Sequence, residues 1–161
     1  MKTNPNKTTE SRFIHAMNGL VTTMQRAVSN AETPQEAMRL LKRYAQTLEF
    51  SDWCDRLAYS LTAKIDKSSS NTWREAAAKA GRGSEIYKQI HEELKKPHGG
   101  VFWLKVKENA SLIKTFPDLI SQTLTSYIAN EGLKGRRSTD ILDDLMKRFP
   151  DTAKTRLRLI A

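Results

Sequence analysis

Residues 108–161 read ENASLIKTFPDLISQTLTSYIANEGLKGRRSTDILDDLMKRFPDTAKTRLRLIA, and they say more about the fold than any other part of the chain. Apolar residues recur there at intervals of three and four, which is the spacing of one face of an amphipathic α-helix. Pro117 suits the first turn of a helix, and Gly132 suits the left-handed residue that ends one. The stretch therefore predicts short helices separated by sharp turns.

The second half of this stretch predicts two further helices. Ser138 and its neighbours can cap the first, which we expect to end at Pro150 because proline lacks the N–H that a helix interior requires. The second would begin at Asp151 and continue to Ala161 without a glycine, a proline or a polar tail. Most domains end in a stop signal or a frayed hydrophilic terminus, so we expect this chain to be a fragment.

The same spacing predicts helices upstream. One amphipathic helix is expected from Ser11 to Asn30. The next should begin with Thr33 as its cap and Pro34 at its first position, and Glu36 can complete a capping box. A third is expected to open at Ser51.

The secondary structure of two segments can be interpreted in more than one way from the sequence pattern. Residues 67–71, KSSSN, form a polar break and the best candidate boundary between lobes. Residues 101–106, VFWLKV, could start a strand, but no second strand-like run exists to pair with them, so we expect a helix. The sequence thus predicts an all-α fold, an irregular bundle of about seven or eight short to medium helices that can divide into two lobes. We expect a flexible tail at 1–10, an N-terminal helical lobe at 11–67, and a C-terminal helical region at 72–161.

Size and composition narrow the class of protein. With 161 residues, 39% of them apolar, the chain can bury a real core. Its longest uncharged run has 12 residues, shorter than the about 20 that a membrane span needs, and residues 1–10 lack the apolar segment of a signal peptide. The lone Cys54 cannot form an internal disulfide and suits a reducing cytoplasm.

No residue pattern predicts catalysis or metal binding. His15, His91 and His98 lie far apart, and none has a histidine or cysteine at the spacing of a metal site. Adjacent acids such as Asp143 and Asp144 point about 100° apart on a helix, which favours a solvated flank. We therefore predict no catalytic residue, metal, cofactor or small-molecule ligand, and a protein that is not an enzyme.

The net charge of +9 favours contact with polyanions, although many basic proteins bind none. Cations near the end of a helix also offset its dipole, and this explains Lys147 and Arg148. It does not explain arginines that precede a helix, as in the turn at residues 135–138. The two interpretations of that turn, polyanion contact or solvated charge and protein partners, stay open. The candidate nucleic-acid-binding residues are Lys134, Arg136, Arg137, Lys154 and Arg158.

The order of these motifs resembles the phage Mu F-like head morphogenesis family, also called minor head or minor capsid proteins. ENASLIKTFP from Glu108 is similar to the family's Asn-x-x-Leu-Ile-Lys-x-Ile-Pro, and the basic turn around Gly135 is similar to its Gly/Ser-rich basic turn. LDDLMKRF from Leu142 matches its short helix, and RLRLIA from Arg156 matches its Arg-x-x-x-Ile-Ala. In the family that last motif runs on into Arg-Thr-Glu or Arg-Asp-Gln, whereas here the sequence ends at Ala161.

The resemblance implies a non-enzymatic part in building the heads of tailed phages. The expected partners are the portal protein and other capsid or scaffold subunits, with double-stranded DNA as a further candidate. The expected location is the interior of the phage head, and the host cytoplasm during assembly. The alternative is a basic helical nucleic-acid-binding protein unrelated to phage heads. A third hypothesis is an enzyme whose active part follows Ala161.

Overall fold

The protein is all-α over the residues that its structure, a computed structural model, describes. These are residues 7–79, 85, 88, 89, 92 and 100–160. They contain six helices and no strand, so the predicted fold class is confirmed. The helices are α1 (Lys7–Val28), α2 (Pro34–Ala45), α3 (Leu48–Lys79), α4 (Val101–Lys114), α5 (Phe116–Leu133) and α6 (Ser138–Ile160).

This count is below the seven or eight helices that the sequence predicts, because two expected breaks do not occur. Residues 67–71 lie inside α3, where Thr72 Oγ1 donates a hydrogen bond to the Ser68 carbonyl at 3.1 Å. Serine and asparagine are only mildly unfavourable in a helix, and the EAAAK sequence that follows favours it strongly. Pro150 lies inside α6, between the buried Phe149 and Ala153. The six helices do not include a further helix that the sequence predicts from Ser84, of which only Glu85, Lys88, Gln89 and Glu92 are described, all of them helical.

The chain divides into two compact units, each built from two separate stretches. Unit 1 comprises Met1–Phe13 and Cys54–Ser111, and unit 2 comprises Ile14–Trp53 and Leu112–Ala161. The sequence predicted contiguous lobes at 11–67 and 72–161 instead. Composition marks polar stretches but carries no information about which distant helices pack together. The predicted tail also differs in part, since α1 already begins at Lys7.

Unit 2 has an apolar core in which α2, α5 and α6 pack against one another. The buried side chains come mostly from positions three and four apart on each helix, as the sequence pattern predicts. They are Met17, Leu20, Val21, Met24, Val28, Ala31, Ala37, Met38, Leu41, Phe50, Ile113, Phe116, Ile120, Leu124, Ile128, Ile141, Leu145, Phe149 and Ala153.

The predicted start of α2 is confirmed. Thr33 is the N-cap, and its Oγ1 accepts a hydrogen bond from the Glu36 backbone N–H at 3.1 Å. The Glu36 carboxylate accepts in turn from the backbone N–H of Glu32 at 2.9 Å, one residue before the position of an ordinary capping box. Pro34 occupies the first helical position.

The segment that could have been a strand begins α4 at Val101, as predicted. Within unit 1 this helix meets α3 through an aromatic cluster, in which the Tyr59 ring centroid lies 5.7 Å from that of Phe102. Asn109 Nδ2 also donates a hydrogen bond to the buried Thr62 Oγ1 at 3.2 Å. None of the helices described is both long and apolar enough to cross a membrane.

Candidate functional site

The basic turn between α5 and α6 is built on a left-handed glycine. Gly135 has a φ of 74°, which an L side chain adopts only with strain. Its N–H donates to the Gly132 carbonyl at 3.0 Å, and the Arg136 N–H donates to the Glu131 carbonyl at 3.3 Å. These two bonds are those of a Schellman motif, which satisfies the last carbonyls of a helix. The prediction that Gly132 is the left-handed residue is wrong, because α5 continues through it to Leu133.

An ion pair closes the turn. In a Schellman motif the residue after the glycine commonly makes an apolar contact with the residue five positions before it. Here those residues are Arg136 and Glu131, and Arg136 Nη1 lies 2.7 Å from Glu131 Oε2. A charge-assisted bond between two groups that the backbone already holds together rigidifies the end of α5.

Glu131 bridges two cations. Its Oε1 atom lies 2.7 Å from Lys134 Nζ, while its other carboxylate oxygen is used by Arg136. The side chain of Glu131 is only 11% exposed, so its charge requires these partners. The hydrogen bonds from Lys134 and then Arg136 hold the pKa of the Glu131 carboxyl below its ordinary value of 4.5.

Arg136 also reaches α6. Its Nη2 lies 2.7 Å from Asp144 Oδ2, and its Nη1 donates a longer bond of 3.3 Å to the Tyr127 hydroxyl. That hydroxyl donates to Asp144 Oδ2, also at 3.3 Å. The bond from Arg136 holds the pKa of Asp144 below its ordinary value of 3.8, and the bonds to Glu131 and Asp144 raise the pKa of Arg136. We call Tyr127, Glu131, Lys134, Arg136 and Asp144 the turn cluster.

Two more arginines of α6 contact side chains of α5. The guanidinium carbon of Arg148 lies 4.6 Å from the ring centroid of Tyr127, a cation–π contact. Arg156 Nε and Nη2 donate to the Thr123 hydroxyl at 3.0 and 2.7 Å. Arg156 belongs to the RLRLIA motif, so this motif residue links the two helices.

The five candidate nucleic-acid-binding residues do not form one patch. Lys134 and Arg136 are engaged in the turn cluster. Arg137 and Lys154 are exposed, and Lys154 follows Arg137 by 17 positions, which correspond to about 25 Å of helix axis. Arg158 belongs to α6, but its side chain lies outside the part of the chain that the structure describes.

The turn is also less cationic than its basic residues suggest. Residues 131–144 contain three cations, Lys134, Arg136 and Arg137, but also four acids, so their net charge is −1. Sequence reasoning missed Glu131 and Asp144 as partners and treated Asp144 as part of a solvated flank. The available signal for Glu131 was its place three residues before Lys134, a spacing at which side chains meet on a helix. Asp144 gave no such signal, because only the turn geometry brings it to Arg136.

The described residues contain no group of three or more His, Cys, Asp or Glu side chains placed to hold a metal ion. The arrangement of the turn cluster can hold two helices at a defined angle, and its chemistry is that of paired charges. Comparison with known protein families, curated proteins and solved structures found nothing similar to this chain.

Proposed function

We propose that this chain is a non-enzymatic minor head protein of a tailed phage, which acts in capsid and procapsid assembly at the portal vertex. The resemblance of residues 108–161 to the head morphogenesis family motivates the proposal, together with the all-α fold. Its partners would be the portal protein and other capsid or scaffold subunits, and its location the phage head interior after assembly in the host cytoplasm.

The observation that carries this proposal is the rigid tip formed by the end of α5. Leu133 is 88% exposed there, directly before the turn that the cluster of ion pairs fixes. Single exposed leucines are common on protein surfaces, but Leu133 directly precedes a turn that two backbone hydrogen bonds and three ion pairs hold in place. A pre-ordered apolar contact loses little conformational entropy on binding, which suits docking onto a larger assembly.

Co-expression with the portal protein encoded in the same genome tests the proposal. The wild-type chain should co-purify with the portal oligomer, and Leu133→Asp should reduce its recovery at least about tenfold, the effect of about 1.4 kcal/mol of lost binding. Leu48→Asp is the matched control, because Leu48 is 82% exposed at the start of α3. Absence of wild-type binding to the portal, or equal recovery of both variants, would reject the proposal.

The alternative is a nucleic-acid-binding protein, and two cations favour it. Arg137 and Lys154 are exposed, and neither forms an ion pair with any other described residue. Such cations are available to phosphates, and each phosphate contact adds about 0.9 to the log–log slope of affinity against salt on duplex DNA. Arg137→Ala and Lys154→Ala should each lower that slope. A flat salt response of the wild-type protein would eliminate this alternative.

A further inference from the structure

The anion and the cations of the turn cluster differ in their access to solvent. The Glu131 side chain is 11% exposed, whereas those of Lys134 and Arg136 are 66% and 33% exposed. The cations can therefore be reached from solution, while the carboxylate that neutralises them lies beneath them. A surface with this arrangement would attract anions if the carboxylate lost its charge.

The Glu131 carboxylate also occupies the position that an external phosphate would take. Each of its two oxygens lies 2.7 Å from a different cation, which is the length of a strong charge-assisted hydrogen bond. A phosphate between Lys134 and Arg136 would use its oxygens in the same way. We propose that Glu131 is an internal counter-anion that withholds Lys134 and Arg136 from nucleic-acid phosphates, so that the basic turn is masked by its own chain.

The covalent tether makes the mask effective. Glu131 is three residues from Lys134 and five from Arg136, on a turn that two backbone hydrogen bonds close. Its effective concentration at the cations greatly exceeds that of a dissolved phosphate. An external phosphate must displace the carboxylate and leave it poorly solvated, which opposes binding. This inference concerns the charge of the turn alone and is independent of both candidate functions.

Neutralising Glu131 tests the proposal. We expect Glu131→Gln to raise the affinity of the full chain for a short DNA duplex several-fold at low salt. The log–log salt slope should steepen by about 0.9 to 1.8, since one or two cations become available. The matched control is Glu49→Gln, which adds the same charge to unit 2 at an exposed carboxylate that no described residue pairs with. Equal effects of the two variants would overturn the proposal.

A second substitution separates unmasking from a general charge effect. Lys134→Ala should leave the DNA affinity of the wild-type chain unchanged, because Lys134 is already neutralised, but should abolish much of the increase in the Glu131→Gln background. Weaker binding on Lys134→Ala in the wild type would show that this lysine is free to bind and would overturn the mask. If Glu131→Gln prevents folding, Lys134→Ala in the wild-type background still decides, since weaker DNA binding of that variant would overturn the proposal and unchanged binding would support it.

Discussion

The Nη2 atom of Arg136 lies 2.7 Å from the Oδ2 atom of Asp144, so a residue of the turn holds the seventh residue of α6. Because Nη1 of the same guanidinium is bonded to Glu131 in α5, one planar side chain spans both helices. Arginine suits this role since its donors are held in a fixed fork. The angle between α5 and α6 is thus set by the chemistry of the turn as well as by the apolar core.

Arg136 should matter more for stability than its exposed neighbour. Arg136→Ala leaves the largely buried Glu131 with only Lys134, and leaves Asp144 without its arginine. We expect the midpoint of thermal unfolding to fall by several degrees, because carboxylates that keep their charge lose hydrogen-bonded partners. Arg137→Ala should change the midpoint little, since that side chain is exposed and pairs with no described residue.

Arg136→Lys refines this test. A lysine keeps the charge, but its single ammonium group lacks the fork that reaches Glu131 and Asp144 together. The midpoint should lie between those of the wild type and Arg136→Ala. A midpoint equal to that of the wild type would mean that charge alone matters and that the bridging geometry does not.

Acid should weaken the fold through the same cluster. The pKa values of Glu131 and Asp144 are lowered in the folded state, so their contribution to stability is present above their ordinary values of 4.5 and 3.8. It is lost as pH falls through the lowered folded values. Unfolding midpoints measured from pH 7 downwards should therefore decline below about pH 4.5.

The double variant Glu131→Gln, Asp144→Asn is the control for this decline. It lacks both titrating groups, so its unfolding midpoint should be lower than that of the wild type at pH 7. That midpoint should then fall by less between pH 5 and pH 2. A decline as steep as that of the wild type would assign the acid sensitivity to other carboxylates.

Helix positions were predictable where the pattern was local. The cap of α2 at Thr33 and the helical start at Val101 follow from neighbouring residues, and both are confirmed. The spacing of apolar residues from Leu40 onwards also predicts Leu48 on the buried face of the second helix, but α2 ends at Ala45 and Leu48 begins α3 with its side chain exposed. The spacing of apolar residues does not fix the residue at which a helix ends. An error of one turn in that boundary therefore places a residue on the wrong face.

The turn cluster was predictable only in part. The basic residues around Gly135 were evident, but their partners depend on where the turn begins and on which glycine is left-handed. Once Gly135 takes that role in place of Gly132, Arg136 is directed back to Glu131 and towards Asp144. Two glycines three residues apart are equivalent in a sequence pattern, so polyanion contact stayed one of two open interpretations of the arginines, reached without knowledge of these contacts.

These two glycines should respond in opposite directions to alanine. Gly135→Ala places a side chain at a φ of 74° and should destabilise the protein by about 1–2 kcal/mol. Gly132→Ala lies within α5, where alanine is favoured over glycine by about 0.5–1 kcal/mol, and should stabilise. A methyl group meets no atom within 4 Å at either site, so backbone conformation alone decides the sign. Chemical denaturation of the two variants measures the change in the free energy of unfolding. A loss of stability in both variants would contradict the assignment of Gly135 as the left-handed residue and Gly132 as a helical one.

Pro150 offers a further test, because a helix rarely continues through proline. It is the thirteenth residue of α6, where it removes one backbone hydrogen bond and its ring crowds the carbonyl four residues before it. The neighbouring Phe149 and Ala153 are both fully buried, and this burial keeps the helix intact on either side.

Pro150→Ala should therefore stabilise the protein by up to about 3 kcal/mol, the difference between the two residues in a helix interior. Denaturant unfolding with an unchanged m value would measure it, and Ala153→Gly serves as a control that weakens the same helix without a proline. Lower stability of Pro150→Ala would imply that a bend at the proline is what allows Phe149 and Ala153 to be buried together. Straightening α6 would then pull one of them out of the core of unit 2.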